Sequence, residues 1–83
     1  MWQETDNALR ASFKFKDFSQ AFAFMTEVAI AAEKMDHHPE WRNVWNTVSF
    51  VLNTHSEGNT VTEMDHALAK AITRIAERYQ PRP

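Results

Sequence analysis

LRASFKFK, residues Leu9 to Lys16, alternates apolar Leu9, Ala11, Phe13 and Phe15 with polar Arg10, Ser12, Lys14 and Lys16. A period of two marks a strand with one packed face and one wet face. Asp17, Phe18 and Ser19 break the alternation. From Ser19, an N-cap residue type, the apolar period becomes helical and runs to about Met35. Along this helix Ala21, Met25, Val28, Ala32 and Met35 share one side, flanked by Phe22, Phe24 and Ala29, and that side is expected to face the sheet. Ile30 falls on the opposite side beside Thr26, Glu27 and Lys34, and reads either as a stray surface residue or as a subunit contact.

Further along, Pro39 disfavours a helical conformation at His38, so MDHHPEW (residues 35–41) should turn outward where the helix ends. Trp41–Trp45 and Thr47–Thr54 are rich in aromatic and β-branched residues and read as two strands with a bend near Asn46. Val48, Phe50 and Leu52 share one face of the second. Ser56–Asn59, with the chain's single glycine at Gly58, reads as a surface loop. Thr62 and Asp65 form a variant capping box for a helix whose apolar side is Met64, Leu68, Ala71, Ile72, Ile75 and Tyr79. Gln80 to Pro83 cannot continue that helix and should fray. The order strand, helix, strand, strand, helix predicts an α+β fold, a small antiparallel sheet with helices packed on one face, as a single domain over residues 1–83.

Composition excludes several function classes. A formal charge of −2 and a pI near 6.0 offer no basic face to nucleic acid or to an acidic membrane surface. The absence of cysteine removes disulfides, thiolate metal sites and thiol nucleophiles. With no signal pattern and no run of about 18 apolar residues, a cytoplasmic protein is expected.

The histidines are the chemistry-bearing residues. His37 and His38 are adjacent in the turn, and His55 follows the Thr47 strand; if that strand lies beside the turn, three imidazoles converge at one rim of the sheet. Imidazole titrates near ~6.5 and can give or accept a proton at neutral pH, as general acid–base catalysis requires. Each has a plainer reading: His37 as a helix C-cap, His38 as a residue oriented by the proline turn, His55 as a loop residue bonded to backbone. His66, in the last helix, reads as solvated. A metal site with oxygen ligands from Asp36, Glu40 or Glu33 competes, but adjacent histidines do not match the helical spacing of zinc hydrolases, so no metal is expected. Nucleophile elbow, phosphate loop and dinucleotide fingerprint are absent.

The run Glu33-Lys34-Met35-Asp36-His37-His38-Pro39-Glu40-Trp41, then Asn43-Val44, Thr54-His55, and Thr62 and Asp65 before Leu68-Ala69, resembles the pterin-4a-carbinolamine dehydratases. Phe13 to Phe18 and Ala21 to Met25 resemble that family's first strand and helix, so the likeness spans Trp2 to about Ile75. The resemblance implies an enzyme that dehydrates 4a-hydroxytetrahydropterin to quinonoid dihydropterin, working beside an aromatic amino acid hydroxylase, with no metal or organic cofactor. It implies His37, His38 and His55 as catalytic residues, His38 and His55 foremost as proton carriers. It implies Glu33, Asp36, Trp41, Thr54 and Asp65 around the substrate, where Trp41 reads equally as ring wall or core, and Asp65 equally as a helix N-terminal charge. A homo-oligomer, dimer or tetramer, is expected. The alternative is a non-catalytic binding or assembly module on the same fold. Departures from the family pattern are Arg42 and Trp45, where phenylalanine and tyrosine are usual, a loop over residues 56–61 that looks one residue longer, and a start close to Trp2 that leaves an N-terminal helix short or absent.

Overall fold

In the computed structural model, which describes residues 1–79, the alternating segment forms β2 (Ala8–Lys14), the central partner of a four-stranded antiparallel sheet. β1 is Gln3–Thr5, β3 is Glu40–Val44 and β4 is Thr47–Leu52, in the order β1-β2-β4-β3. Register pairs Phe13 with Val48 and Ala11 with Phe50, so the apolar halves of both alternations point to one face. Helices α1 (Phe18–Met35) and α2 (Glu63–Ala76) cover that face, α1 against β4 and α2 against β2. The core between the layers is aromatic: Phe24 is fully buried, with ring centroids 4.6 Å from Phe15, 5.6 Å from Phe13 and 5.9 Å from Phe50. Arg10, Ser12, Lys14, Ser49 and Val51 lie on the face the helices leave uncovered.

Several expectations need correction. β1 has only three residues, all exposed, and carries no hydrophobic alternation to reveal it. Its signal is the pair Asp6-Asn7, both at positive φ (53° and 61°), the backbone of a two-residue hairpin turn. Trp2, just ahead, donates from its indole N–H to Thr73 Oγ1 at 2.8 Å and fastens this edge to α2. β2 ends at Lys14, and α1 is capped by Asp17 rather than Ser19: the Asp17 carboxylate accepts the Gln20 N–H at 2.8 Å. On α1 the wholly buried stripe is Ala21, Phe24, Val28 and Ala32; Met25 is only partly covered, and Phe22 is exposed.

On α2 the buried stripe is Asp65, Leu68, Ala69, Ile72, Ile75 and Ala76, whereas Met64 is exposed and Ala71 only partly covered. The face is rotated from expectation because a carboxylate, which periodicity counts as solvent-facing, is turned inward. β3 starts at Glu40, and Trp45 sits in the hairpin turn at φ 51°. The bend at Asn46 is tied down by its side-chain amide, which donates to the Phe15 carbonyl at 2.9 Å. The loop after β4 contains a single 3-10 turn, His55–Glu57, closed by Gly58 at φ 74°. Residues 80–83, expected to fray, lie outside the described residues. No helix among the described residues is long and apolar enough to cross a membrane.

Because Phe24 touches rings from both central strands, Phe24→Ala should lower the unfolding free energy by about 3–5 kcal/mol. Urea titration measures it; a loss below about 1 kcal/mol would mean the helix–sheet layer is not where stability resides.

Candidate active site

The site begins where α1 stops. Asp36 adopts the left-handed conformation (φ 52°, ψ 41°), its N–H bonds Glu33 O, and the His37 N–H returns to Ala32 O at 3.1 Å. This pair of bonds is a Schellman closure with aspartate in the place glycine usually takes. It reverses the chain so that successive side chains diverge: His37 goes inward to 9% exposure, while His38 stays open to solvent.

His37 meets Asp65 from the first turn of α2, Nε2 to Oδ1 at 2.6 Å. Asp65 has no exposed surface. A carboxylate accepts only, so every bond it makes fixes a donor: His37 Nε2–H and the Thr54 hydroxyl at 2.8 Å, with the Thr62 N–H at 2.9 Å. The Thr54 proton being committed, the 2.7 Å contact between Thr54 and Thr62 is a bond donated by Thr62, whose oxygen accepts the Met64 N–H. Burial alone would raise the Asp65 pKa; the bonds from His37, the Thr62 N–H and Thr54, and the charge His37 can carry, outweigh it and hold the pKa below the ordinary aspartate value. His37 consequently carries its proton on Nε2, and Nδ1 has no hydrogen bond to the described residues.

A cleft of about 360 Å³ opens beside this network. His37, His38 and His55 all line it, from the turn after α1 and from the 3-10 turn after β4. Asp36 and Thr54 line it as well, Thr54 with its hydroxyl engaged by Asp65. Glu33 does not; it stands on the exposed surface of α1, where its Oε1 meets His38 Nε2 at 2.8 Å and orients that ring. Asp65 and Trp41, like Glu33, are not among the residues lining the cleft. Asp65 lies wholly beneath the surface, bonded to His37. Trp41 packs on Phe50, centroids 5.9 Å apart, because cross-strand register puts it on the helix-covered face of the sheet. Asn53, Ser56 and Met64 also line the cleft, and no sequence signal singled them out.

A larger cavity of about 560 Å³ lies between Trp2, Leu9 and α2, but His66 is its only imidazole. The smaller cleft is the better candidate because it gathers three proton-exchanging groups. Among the described residues, no group of three or more His, Cys, Asp or Glu side chains is arranged to hold a metal ion.

Asp65→Asn tests the network. An amide nitrogen cannot accept, so at least one donor loses its partner and stability at neutral pH should fall by about 1–3 kcal/mol. Since the folded-state pKa is depressed, the wild-type contribution is complete above the ordinary aspartate value of about 3.9 and is lost as pH falls through the lower folded value. Denaturant melts between roughly pH 2 and 5 should therefore be steeper in pH for wild type than for the variant; parallel curves would refute the assignment.

The sequence and fold have close relatives. A family model described as pterin 4 alpha carbinolamine dehydratase matches residues 1–75. A Bradyrhizobium protein, provisionally named pterin-4-alpha-carbinolamine dehydratase, is 56% identical over 90% of this chain and 77% of its own length. A Brucella ovis protein with the same provisional name is 54% identical over 90% of this chain and 78% of its own. A crystal structure from Brucella melitensis, described as a transcriptional coactivator/pterin dehydratase, superposes with TM-score 0.86 at 55% identity, covering 90% of this chain and 81% of that one. A pterin dehydratase-like protein identified as a RuBisCO assembly factor in the alpha-carboxysome shares the fold alone, with TM-score 0.74 at 22% identity over 92% and 87% of the two chains. With the family match running from the first strand nearly to the end of α2, the chain belongs to the pterin-4-alpha-carbinolamine dehydratase family.

Proposed function

We propose that the protein dehydrates 4a-hydroxytetrahydropterin, tetrahydrobiopterin-derived, to quinonoid dihydropterin by histidine general acid–base catalysis, needing neither metal nor organic cofactor. The C4a–O bond breaks and the hydroxyl leaves as water once protonated; the N5 proton departs and its electron pair forms the C4a=N5 bond. One group must give a proton while another takes one, within a few ångströms of each other. The observation supporting this reading is the cleft in which His37, His38 and His55 meet.

The Asp65 bond favours His37 as the base. An imidazole that accepts a proton at Nδ1 becomes a cation, and the buried carboxylate at 2.6 Å stabilises it. His38 and His55, both exposed, then share the task of protonating the hydroxyl and exchanging protons with water. This shifts one direct proton transfer from the pair the resemblance puts first. In the cell the reading puts the protein in the cytoplasm, as a homo-oligomer, recycling pterin released by an aromatic amino acid hydroxylase.

The alternative, a protein-binding or assembly module on this fold, is favoured by the likeness to the Brucella melitensis protein described as a transcriptional coactivator/pterin dehydratase and to the RuBisCO assembly factor. The meeting of His37, His38 and His55 in one cleft weighs against it. Dehydration of freshly generated 4a-hydroxytetrahydropterin should run well above the buffer rate. His37→Ala should lower kcat by about 10²- to 10⁴-fold, His38→Ala and His55→Ala should each be impaired, and prior chelation should change nothing. Wild type no faster than buffer, joined to recovery of one stoichiometric protein partner, would favour the module instead.

A further inference from the structure

The cleft has one apolar lining residue, Met64; every other side chain around it is polar or charged. Met64 is 43% exposed although large and hydrophobic, on the opening turn of α2. Its backbone is fixed: the N–H donates to Thr62 Oγ1 at 3.3 Å, and the next residue is Asp65, held by three donors. The side chain is thus carried on a rigid mount and left uncovered at the cleft.

A fused bicyclic pterin presents a donor–acceptor edge and two broad faces. Imidazoles that exchange protons with C4a–OH and N5 must approach through their nitrogens, so they cannot also lie flat against the rings. Trp41 is committed to Phe50. We propose that Met64 covers a face of the pterin ring and is a substrate-positioning residue of this site. The inference rests on the dehydratase reading. A thioether suits the task because it is polarisable and unbranched. C4a is tetrahedral before water leaves and planar after, and a flexible side chain follows that flattening where a rigid wall would fit one form only.

The experiment compares wild type, Met64→Leu and Met64→Ala by calorimetric titration with oxidised biopterin and by dehydration kinetics, with thermal midpoints confirming that all three fold. Met64→Ala should weaken biopterin binding and raise KM by roughly 2- to 12-fold, with kcat within about twofold of wild type, while Met64→Leu stays near wild type in both. Equal biopterin affinity in wild type and Met64→Ala overturns the proposal, as does a loss confined to kcat. A wild type that binds biopterin without accelerating dehydration sinks the dehydratase reading, while the affinity comparison still judges Met64. A wild type that neither binds nor turns over sinks both.

Discussion

Asp65 is a carboxylate with no exposed surface, where the first turn of α2 meets the turn after α1 and the segment after β4. A buried charge is tolerated only when donors replace the water it has lost. Here one donor comes from the turn after α1, one from the segment after β4 and one from the N-cap of α2. None of the three can shift without leaving the carboxylate short of a partner. The orientation of His37, the seating of α2 and the floor of the cleft are therefore consequences of a single desolvated group. No buried side-chain nitrogen or oxygen among the described residues lacks a hydrogen bond, so the polar network is complete.

The same constraint divides the imidazoles by freedom. His37 is held in one tautomer against the floor, whereas His38 and His55 stand at the rim in contact with solvent. The proposed dehydration, with proton transfers at two neighbouring atoms, would use such a division: a group of fixed geometry, and others open to exchange with water.

Departures from the family pattern fall where they leave this arrangement alone. Arg42 pairs with Ser49 on edge strand β3, and Trp45 projects from the hairpin turn at 65% exposure; neither lines the cleft. The loop after β4 holds a 3-10 turn, Gly58 and a bridge between Thr54 and Thr60, and Thr54 at its start is bonded to Asp65. The Asn46 amide ties the β3–β4 turn to the end of β2, keeping the edge hairpin in register at the opposite end of β4 from Thr54.

What was legible in the sequence was periodic or chemically marked. The alternation over Leu9–Phe13 and Val48–Leu52, the helical stripe behind Asp17, the Thr62–Asp65 box and the adjacent histidines each bear a local signature, because backbone geometry imposes period two or 3.6 on any buried face. From these the α+β architecture and the three imidazoles follow. β1 was hidden because three exposed residues bury nothing and alternate in nothing; its existence is decided by the Asp6-Asn7 turn and the edge of β2. Three placements belonged to the tertiary structure alone: that Asp65 points inward, that Trp41 packs half-buried against Phe50, and that Met64 is left at the cleft. Sequence fixes which groups a chain owns, but whether a carboxylate is solvated or a methionine covered depends on which distant donors and surfaces the packed layers bring beside it.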